Sequence, residues 1–276
     1  MKGLYVNIRG RLMDLGKPKV MGILNVTPDS FFAGSRTLFE NEIRERVGRM
    51  VSEGADIIDV GGCSTRPGFE APSAEEEWER VNLGCEIVKE LAPELPLSID
   101  TFRADVARKA IETWNADIIN DVSGGKDPEM WPLVAEKQVA YVLTHNPETA
   151  DHHGNLKTDH SGDITADVIT DLSMGLNELH RLGVNDVIMD PGFGFGKTIE
   201  ENFKLLRDLP EIVRIGAPVL VGVSRKSMIY KTLGVKPEES LTGTIALEAI
   251  AVEKGAHILR VHDVKEAKEI VGLVKV

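Results

Sequence analysis

Short runs of apolar, often β-branched residues recur along the chain and alternate with longer segments of helical periodicity. The eight runs are Val20–Val26, Ala55–Val60, Leu97–Asp100, Asp117–Asn120, Val139–Thr144, Asp186–Asp190, Pro218–Val223 and His257–Val261. Successive runs begin about 34 residues apart, close to the repeat of a barrel built from eight strand–helix units. Nearly continuous apolar strands are typical of a parallel sheet that is covered on both faces.

Between these runs, apolar residues recur at the three- and four-residue spacing of an amphipathic helix. Val81, Cys85 and Val88 form one such stripe, and its segment begins at Ser73 with glutamates close behind, which favours a helix N-terminus. The alternation predicts an α/β fold, specifically a (β/α)8 or TIM barrel. We expect a single domain over residues 1–276, with residues 1–17 as an N-terminal lead segment.

Composition narrows the function classes. The length of 276 residues alone suggests about two domains, but eight units leave no residues for a second one. The net charge of -12 argues against binding nucleic acid or an anionic membrane through the overall field. Two cysteines build no disulfide framework, and neither a signal peptide nor a transmembrane run is evident. We therefore expect a cytoplasmic protein.

Polar residues follow nearly every predicted strand. They include Asn25, Asp100, Asn120, Thr144, Asp190, Lys226, Arg260 and His262. A single residue of this kind often caps a helix. In a barrel, however, the C-terminal ends of all strands meet at one rim, where the chemistry of this fold is found. The convergence therefore predicts a site for a polar small molecule.

The rim combines two kinds of group. Asp100, Asn120 and Asp190 supply acceptors, which suit acid–base catalysis, a metal site or recognition of a ligand edge rich in N–H groups. Donors and positive charge come from Arg66, Lys226, Arg260 and His262. Together they fit a heterocycle on one side and a diphosphate on the other.

The glycine-rich segment Asp190–Thr198 ends in Gly-Lys-Thr, as a phosphate-binding loop does. That loop also needs a glycine five residues before Gly196, and Pro191 stands there. We interpret the segment as a tight loop that lets the backbone approach a ligand closely.

Several motifs together resemble one family, the dihydropteroate synthases of folate biosynthesis. They are Asn25–Phe31, Gly61–Gly68, Asp190–Lys197, Ser224–Lys226 and Arg260–Asp263, with shorter matches at Ser98–Thr101 and Ile119–Asp121. The resemblance implies a homodimeric transferase. It would condense 6-hydroxymethyl-7,8-dihydropterin diphosphate with p-aminobenzoate, releasing 7,8-dihydropteroate and pyrophosphate.

The resemblance also implies residue roles. Asp100, Asn120 and Asp190 would hold the pterin edge, while Lys226 donates to the pterin ring and Arg260 stacks on it. Arg260 and His262 would also hold the diphosphate, with Asn25, a bound Mg²⁺ and Thr65. Thr65, Arg66 and Pro67 in one mobile loop, and Phe31 in another, would close over the second substrate. The p-aminobenzoate pocket would comprise Phe31, Thr65, Pro67, Phe195 and Ser227.

One region departs from the family pattern. Where the family often has Met-His-Met, this chain has Thr144-His145-Asn146-Pro147, so a hydroxyl replaces an apolar side chain near the expected pterin pocket. The loop that follows carries Asp151, His152, His153, Asp159 and His160. A metal cluster and a solvated surface loop are both compatible with it, and the adjacent histidines favour the surface loop.

Two other functions compete. The pterin-binding barrel of a corrinoid methyltransferase would share the three acceptors but would not need Thr65–Pro67 or the cations around a diphosphate. A non-catalytic paralogue would bind pterin or a partner protein only. The intact motifs favour the synthase over both.

Overall fold

The computed structural model describes residues 4–27, 36–63, 71–147 and 162–274. Strands β1 (Tyr5–Ile8) and β2 (Arg11–Asp14) form an antiparallel hairpin. The parallel strands are β3 (Lys19–Asn25), β4 (Ile57–Gly61), β5 (Leu97–Asp100), β6 (Ile118–Asp121), β7 (Ala140–Thr144), β8 (Val187–Asp190), β9 (Leu220–Val221) and β10 (Ile258–Val261). Each of the eight predicted runs therefore contains or overlaps one strand.

The parallel strands pair in the order β8-β7-β6-β5-β4-β3-β10-β9. A single bridge between Met189 and Val219 joins the two ends of this sheet, which brings β8 beside β9. The sheet thus curls into a nearly closed barrel, and the predicted fold class is confirmed.

Helices follow the strands around the outside of the barrel. They are α1 (Arg36–Ser52), α2 (Ala74–Leu91), α3 (Ala104–Trp114), α4 (Met130–Lys137), α5 (Ile164–Arg181), α6 (Ile199–Arg207), α7 (Leu209–Val213), α8 (Ser227–Leu233), α9 (Leu241–Glu253) and α10 (Val264–Val274). Ser73 and Glu76 form a capping box at the start of α2, as the sequence indicates. The predicted stripe of Val81, Cys85 and Val88 is fully buried against the sheet.

The pleat of the strands places one layer of apolar side chains inside the barrel. This layer comprises Met21, Ile57, Ile118, Ala140, Val142, Ile188, Leu220 and Ile258. It packs as a cluster separate from the larger core between sheet and helices. The interior is therefore filled below the rim, and any ligand site lies above this layer.

The N-terminal lead has a structure that the sequence analysis missed. Hairpin β1–β2 turns at Arg9 and Gly10, both with positive φ, as tight two-residue hairpin turns require. Its inward residues Val6 and Ile8, with the following Leu15, join the cluster inside the barrel. The hairpin thus covers the end of the barrel opposite the rim. Among the described residues, no helix is long and apolar enough to cross a membrane.

Away from the rim, α9 buries a carboxyl group. Glu248 is buried, and its Oε1 has no hydrogen-bond partner among the described residues. Burial raises its pKa to about 8, and the nearby carboxylates of Asp263 and Glu266 contribute in the same direction. The folded protein therefore holds this carboxyl neutral at neutral pH.

This burial predicts a pH dependence of stability. In the unfolded chain the carboxyl ionises near pH 4.5, whereas in the folded protein it ionises near pH 8. The contribution of the protonated carboxyl to the free energy of unfolding is therefore full below pH 4.5 and is lost as the pH rises to about 8. We expect Glu248→Gln to be the more stable protein by about 3 kcal/mol at pH 7, with the difference vanishing near pH 4.5.

Urea unfolding of both proteins across this pH range measures the effect. Glu253→Gln is the matched control, because Glu253 lies exposed on the same helix. It should change stability by less than about 0.5 kcal/mol. If the difference in unfolding free energy between Glu248→Gln and the wild type stayed constant across this pH range, the prediction would be contradicted.

Candidate active site

The polar rim follows from the same pleat that builds the apolar layer. Side chains two positions apart on a strand point to the same face. The residues two positions beyond five members of the apolar layer are Asp59, Asn120, Thr144, Asp190 and Arg260. The layer above the apolar filling is therefore polar, and it faces the open end of the barrel.

Arg260 forms ion pairs with two carboxylates at the rim. Its Nε donates to Oδ2 of Asp59 over 2.7 Å, and its Nη2 donates to Oδ2 of Asp100. Burial opposes the charge of Arg260, but the two carboxylates more than offset it and raise the pKa of the guanidinium. The guanidinium therefore stays charged and is held in a fixed orientation at the rim.

Asp59 is a site residue that the sequence analysis missed. It is fully buried, accepts from Ser98 Oγ over 2.6 Å and from Asn120 Nδ2 over 3.0 Å, and pairs with Arg260. Asp59 lies inside the apolar run Ala55–Val60, whereas the other polar residues of the rim lie at strand ends. A carboxylate two positions after the inward Ile57 was the available signal.

Several buried acceptors in this layer lack a full set of partners. Within the described part of the chain, Asn120 Oδ1 and Thr144 Oγ1 are buried without a hydrogen bond. Burial raises the pKa of Asp100 to about 7, an effect that Arg260 opposes. Burial also raises the pKa of Asp190, and Lys226 opposes that shift. Such groups are suited to bind a ligand edge that carries N–H donors.

The glycine-rich segment folds as a tight loop beside this layer. Gly192 has a φ of +70°, and a Cβ there would lie 1.9 Å from the carbonyl oxygen of His145, so only glycine fits. Its N–H donates to Asp190 Oδ1 over 2.7 Å. Lys197 Nζ turns back to the carbonyl oxygens of Gly192 and Phe195, in keeping with a loop that does not bind phosphate as Gly-Lys-Thr loops do.

Lys226 and Phe195 lie together at the edge of the rim. Lys226 Nζ donates to the carbonyl oxygen of Phe193 and lies 4.6 Å from the centre of the Phe195 ring. Ser227 follows directly as the first residue of α8. The structure thus brings Lys226 to the side of Asp190, and it places Phe195 and Ser227 next to Lys226.

His262 follows β10 and contacts the neighbouring strand end. Its Nδ1 lies 3.0 Å from Ser224 Oγ, and its carbonyl oxygen accepts from Arg46 of α1. Burial lowers the pKa of His262 to about 4, and the charges of Arg260 and Arg225 add to this shift. The sequence analysis counted His262 as a positive group, whereas its side chain is neutral near pH 7.

A cavity of about 520 Å³ opens beside His262. Asn25, Arg46 and Arg225 line it as well, among other residues. Arg225 is paired with Asp263, with two hydrogen bonds of 3.0 Å and 2.6 Å. Arg46 was missed from the sequence, because an arginine on an outer helix carries no signal that distinguishes it from solvated surface.

The remaining predicted residues lie outside the described residues. They are Phe31, Thr65, Arg66 and Pro67, together with Asp151, His152, His153, Asp159 and His160. Across residues 4–27, 36–63, 71–147 and 162–274, no three His, Cys, Asp or Glu side chains are placed to hold a metal ion.

Comparisons with known proteins identify the family of this chain. The family described as pterin binding enzyme matches residues 21–262. A dihydropteroate synthase of Streptococcus pyogenes is 40% identical over 270 residues, which cover 96% of this chain and 97% of that protein.

Two solved structures of Xanthomonas albilineans dihydropteroate synthase superpose closely. The one with 4-aminobenzoic acid has a TM-score of 0.88 at 36% identity and covers 99% of this chain and 98% of its own. The one in complex with 7,8-dihydropteroate has a TM-score of 0.84 at 35% identity, with 98% and 97% covered. The chain therefore belongs to the pterin-binding enzyme family and, within it, to the dihydropteroate synthases, transferases of folate biosynthesis.

Proposed function

We propose that this rim binds 6-hydroxymethyl-7,8-dihydropterin diphosphate and p-aminobenzoate and joins them into 7,8-dihydropteroate, with pyrophosphate as the leaving group. The observation that carries the proposal is the polar layer inside the barrel. It combines buried acceptors at Asp100, Asn120 and Asp190 with the cations of Lys226 and Arg260.

The acceptors suit the amino-pyrimidinone edge of the pterin, which offers several N–H donors. Asn120 Oδ1 is buried and has no hydrogen-bond partner among the described residues, and Asp190 keeps acceptor capacity beyond its bond from Gly192. Lys226 can donate to the ring, and the fixed guanidinium of Arg260 offers a flat surface on which the ring stacks. These residues bind and orient the pterin rather than react with it.

The diphosphate would lie towards the cavity beside His262. The charge of Arg260 lies close enough to His262 to lower its pKa, and Asn25, Arg46 and Arg225 line the cavity. Neutral His262 can donate a hydrogen bond to the leaving group from a ring N–H. Donors aimed at the leaving oxygens stabilise the charge that develops as the carbon–oxygen bond breaks.

The amine of p-aminobenzoate is a neutral nucleophile near pH 7, so the reaction needs no strong general base. The nitrogen attacks the pterin methylene, the carbon–oxygen bond breaks, and the amine proton leaves to solvent or to the diphosphate. We assign Phe195 and Ser227 to the p-aminobenzoate pocket, with Phe31, Thr65 and Pro67 completing it and Arg66 acting on the diphosphate.

The donor set fits a Mg²⁺ ion. The described residues hold no carboxylate cluster for a cation, and Asn25 offers one amide oxygen at the end of β3 beside the cavity. Mg²⁺ commonly binds through one or two protein oxygens plus substrate phosphates and water. When bound with the diphosphate, it would neutralise part of the leaving-group charge.

Removal of Mg²⁺ by a chelator should therefore abolish pyrophosphate release. Asn25→Leu removes the amide oxygen, and we expect the Mg²⁺ concentration for half-maximal rate to rise about tenfold, as for the loss of one good polar contact. Asn185→Leu, an exposed amide at the opposite end of the barrel, is the control and should match the wild type. Full activity in chelator would refute the Mg²⁺ assignment.

We further propose that the protein is a homodimer. Apolar side chains are exposed along α8 and α9 and the turn between them, where Leu233, Val235 and Ile250 are each more than a third exposed. A second copy of this face would cover them. Sedimentation velocity at micromolar concentration should give about twice the mass of 30.2 kDa, and a Leu233→Glu, Ile250→Glu double variant should give the monomer mass.

A coupled pyrophosphate-release assay tests the function and separates it from its competitors. With both substrates and Mg²⁺ present, release should exceed the background, and it should stop when p-aminobenzoate is omitted. A methyltransferase module or a non-catalytic paralogue would bind the pterin without releasing pyrophosphate. Absence of release with both substrates would reject the proposal.

A further inference from the structure

Thr144 ends strand β7 inside the polar layer. It lies two positions after the inward Val142, and in the sheet it pairs with Asp190 of β8. The residue is only 2% exposed. Its hydroxyl oxygen has no hydrogen-bond partner in the part of the chain that the structure describes.

A buried hydroxyl without a partner costs stability, and native proteins rarely keep one. The other buried threonines among the described residues have hydrogen-bonded hydroxyls. Thr101 Oγ1 donates to Glu77, and Thr165 Oγ1 donates to Asp208 over 2.8 Å. Thr144 is therefore an exception located where the ligand is expected, between the carboxylate of Asp190 and the amide of Asn120.

We propose that Thr144 binds the pterin ring directly through its hydroxyl and sets the affinity of this chain for that ring. The inference rests on the proposed function, since it takes the ligand of this layer to be a pterin. Asp190 in its ionised form and Asn120 Oδ1 only accept hydrogen bonds, whereas a hydroxyl also donates. Thr144 can therefore donate a hydrogen bond to a ring nitrogen that carries no hydrogen, which those two oxygens cannot do.

The test uses two substitutions at this position. Thr144→Val keeps the shape of the side chain and removes the hydroxyl, while Thr144→Ser keeps the hydroxyl. We expect Thr144→Val to raise the Kd for 6-hydroxymethyl-7,8-dihydropterin about tenfold, as measured by calorimetry. The KM for p-aminobenzoate should stay unchanged. Ser should remain within about threefold of the wild type, and the Tm of ligand-free Thr144→Val should equal or exceed the wild-type value.

Thr165→Val is the matched control, because Thr165 is equally buried but lies on outer helix α5 with its hydroxyl bonded. It should lower the Tm and leave the Kd for the pterin unchanged. A wild-type Kd in Thr144→Val would overturn the inference. So would a Tm loss in ligand-free Thr144→Val like that of the control, because the hydroxyl would then be serving the fold. Failure of the wild type to bind pterin at all would instead reject the proposed function together with the inference.

Discussion

We expect Arg260→Met to lower kcat/KM about 10³-fold and to destabilise the protein by about 3–5 kcal/mol. Both effects follow from the position of the guanidinium. It pairs with the buried carboxylates of Asp59 and Asp100, which would be left in the interior without a cation. Removal of one partner of a buried ion pair costs far more than removal of a surface pair. The catalytic loss follows from the proposed function, in which Arg260 would contact both the pterin and the diphosphate.

Initial rates and urea unfolding of the same preparation measure the two effects. Arg181→Met is the control, since its side chain is 70% exposed and pairs with Glu178 at the surface. That substitution should cost less than about 1 kcal/mol and leave the rate unchanged. An Arg260→Met protein that keeps wild-type activity would remove Arg260 from the site.

Asp190→Asn should give the second-largest effect, with the opposite result for stability. We expect kcat/KM to fall roughly 100-fold, mostly through the KM for the pterin diphosphate, because the carboxylate that would accept from the pterin in the proposed site becomes an amide. Burial raises the pKa of Asp190, so its ionised form is costly in the folded protein. A neutral side chain of the same shape should therefore leave the stability unchanged or increase it.

Steady-state kinetics with each substrate varied in turn separates the two KM values. Asp186→Asn is the control, because Asp186 lies just before β8 and accepts from the backbone of Asn7 at the far end of the barrel. Its kinetic constants should match the wild type. An unchanged KM for the pterin diphosphate in Asp190→Asn would contradict the assignment of this carboxylate.

The strands and the rim were predictable from the sequence because the physical signals are local. Each strand is a short, mostly apolar run, and a polar residue at or just after its C-terminal end marks the rim of the barrel. Hairpin β1–β2 was missed because neither strand is a continuous apolar run: β1 alternates exposed and buried residues, and β2 is mostly exposed. Its role depends on a distant surface, the open lower end of the barrel, which no local pattern reveals.

Within the site, the features that the sequence did not reveal depend on contacts between residues that are far apart in the chain. Asp59 is a charge inside an apolar run, and only its pairing with Arg260 of β10, far away in sequence, explains it. The neutral state of His262 likewise depends on burial and on the nearby charges of Arg260 and Arg225. Residue type indicates which chemistry is available, whereas protonation state and partners require the three-dimensional arrangement.

The most direct test of the central claim is the amount of 7,8-dihydropteroate formed per pyrophosphate released. The purified protein is incubated with the pterin diphosphate, p-aminobenzoate and Mg²⁺, and both products are quantified by mass spectrometry and a coupled assay. A joining reaction at this rim predicts one dihydropteroate for each pyrophosphate, with both products lost in Arg260→Met. Pyrophosphate without dihydropteroate, or neither product from the wild-type protein, would contradict it.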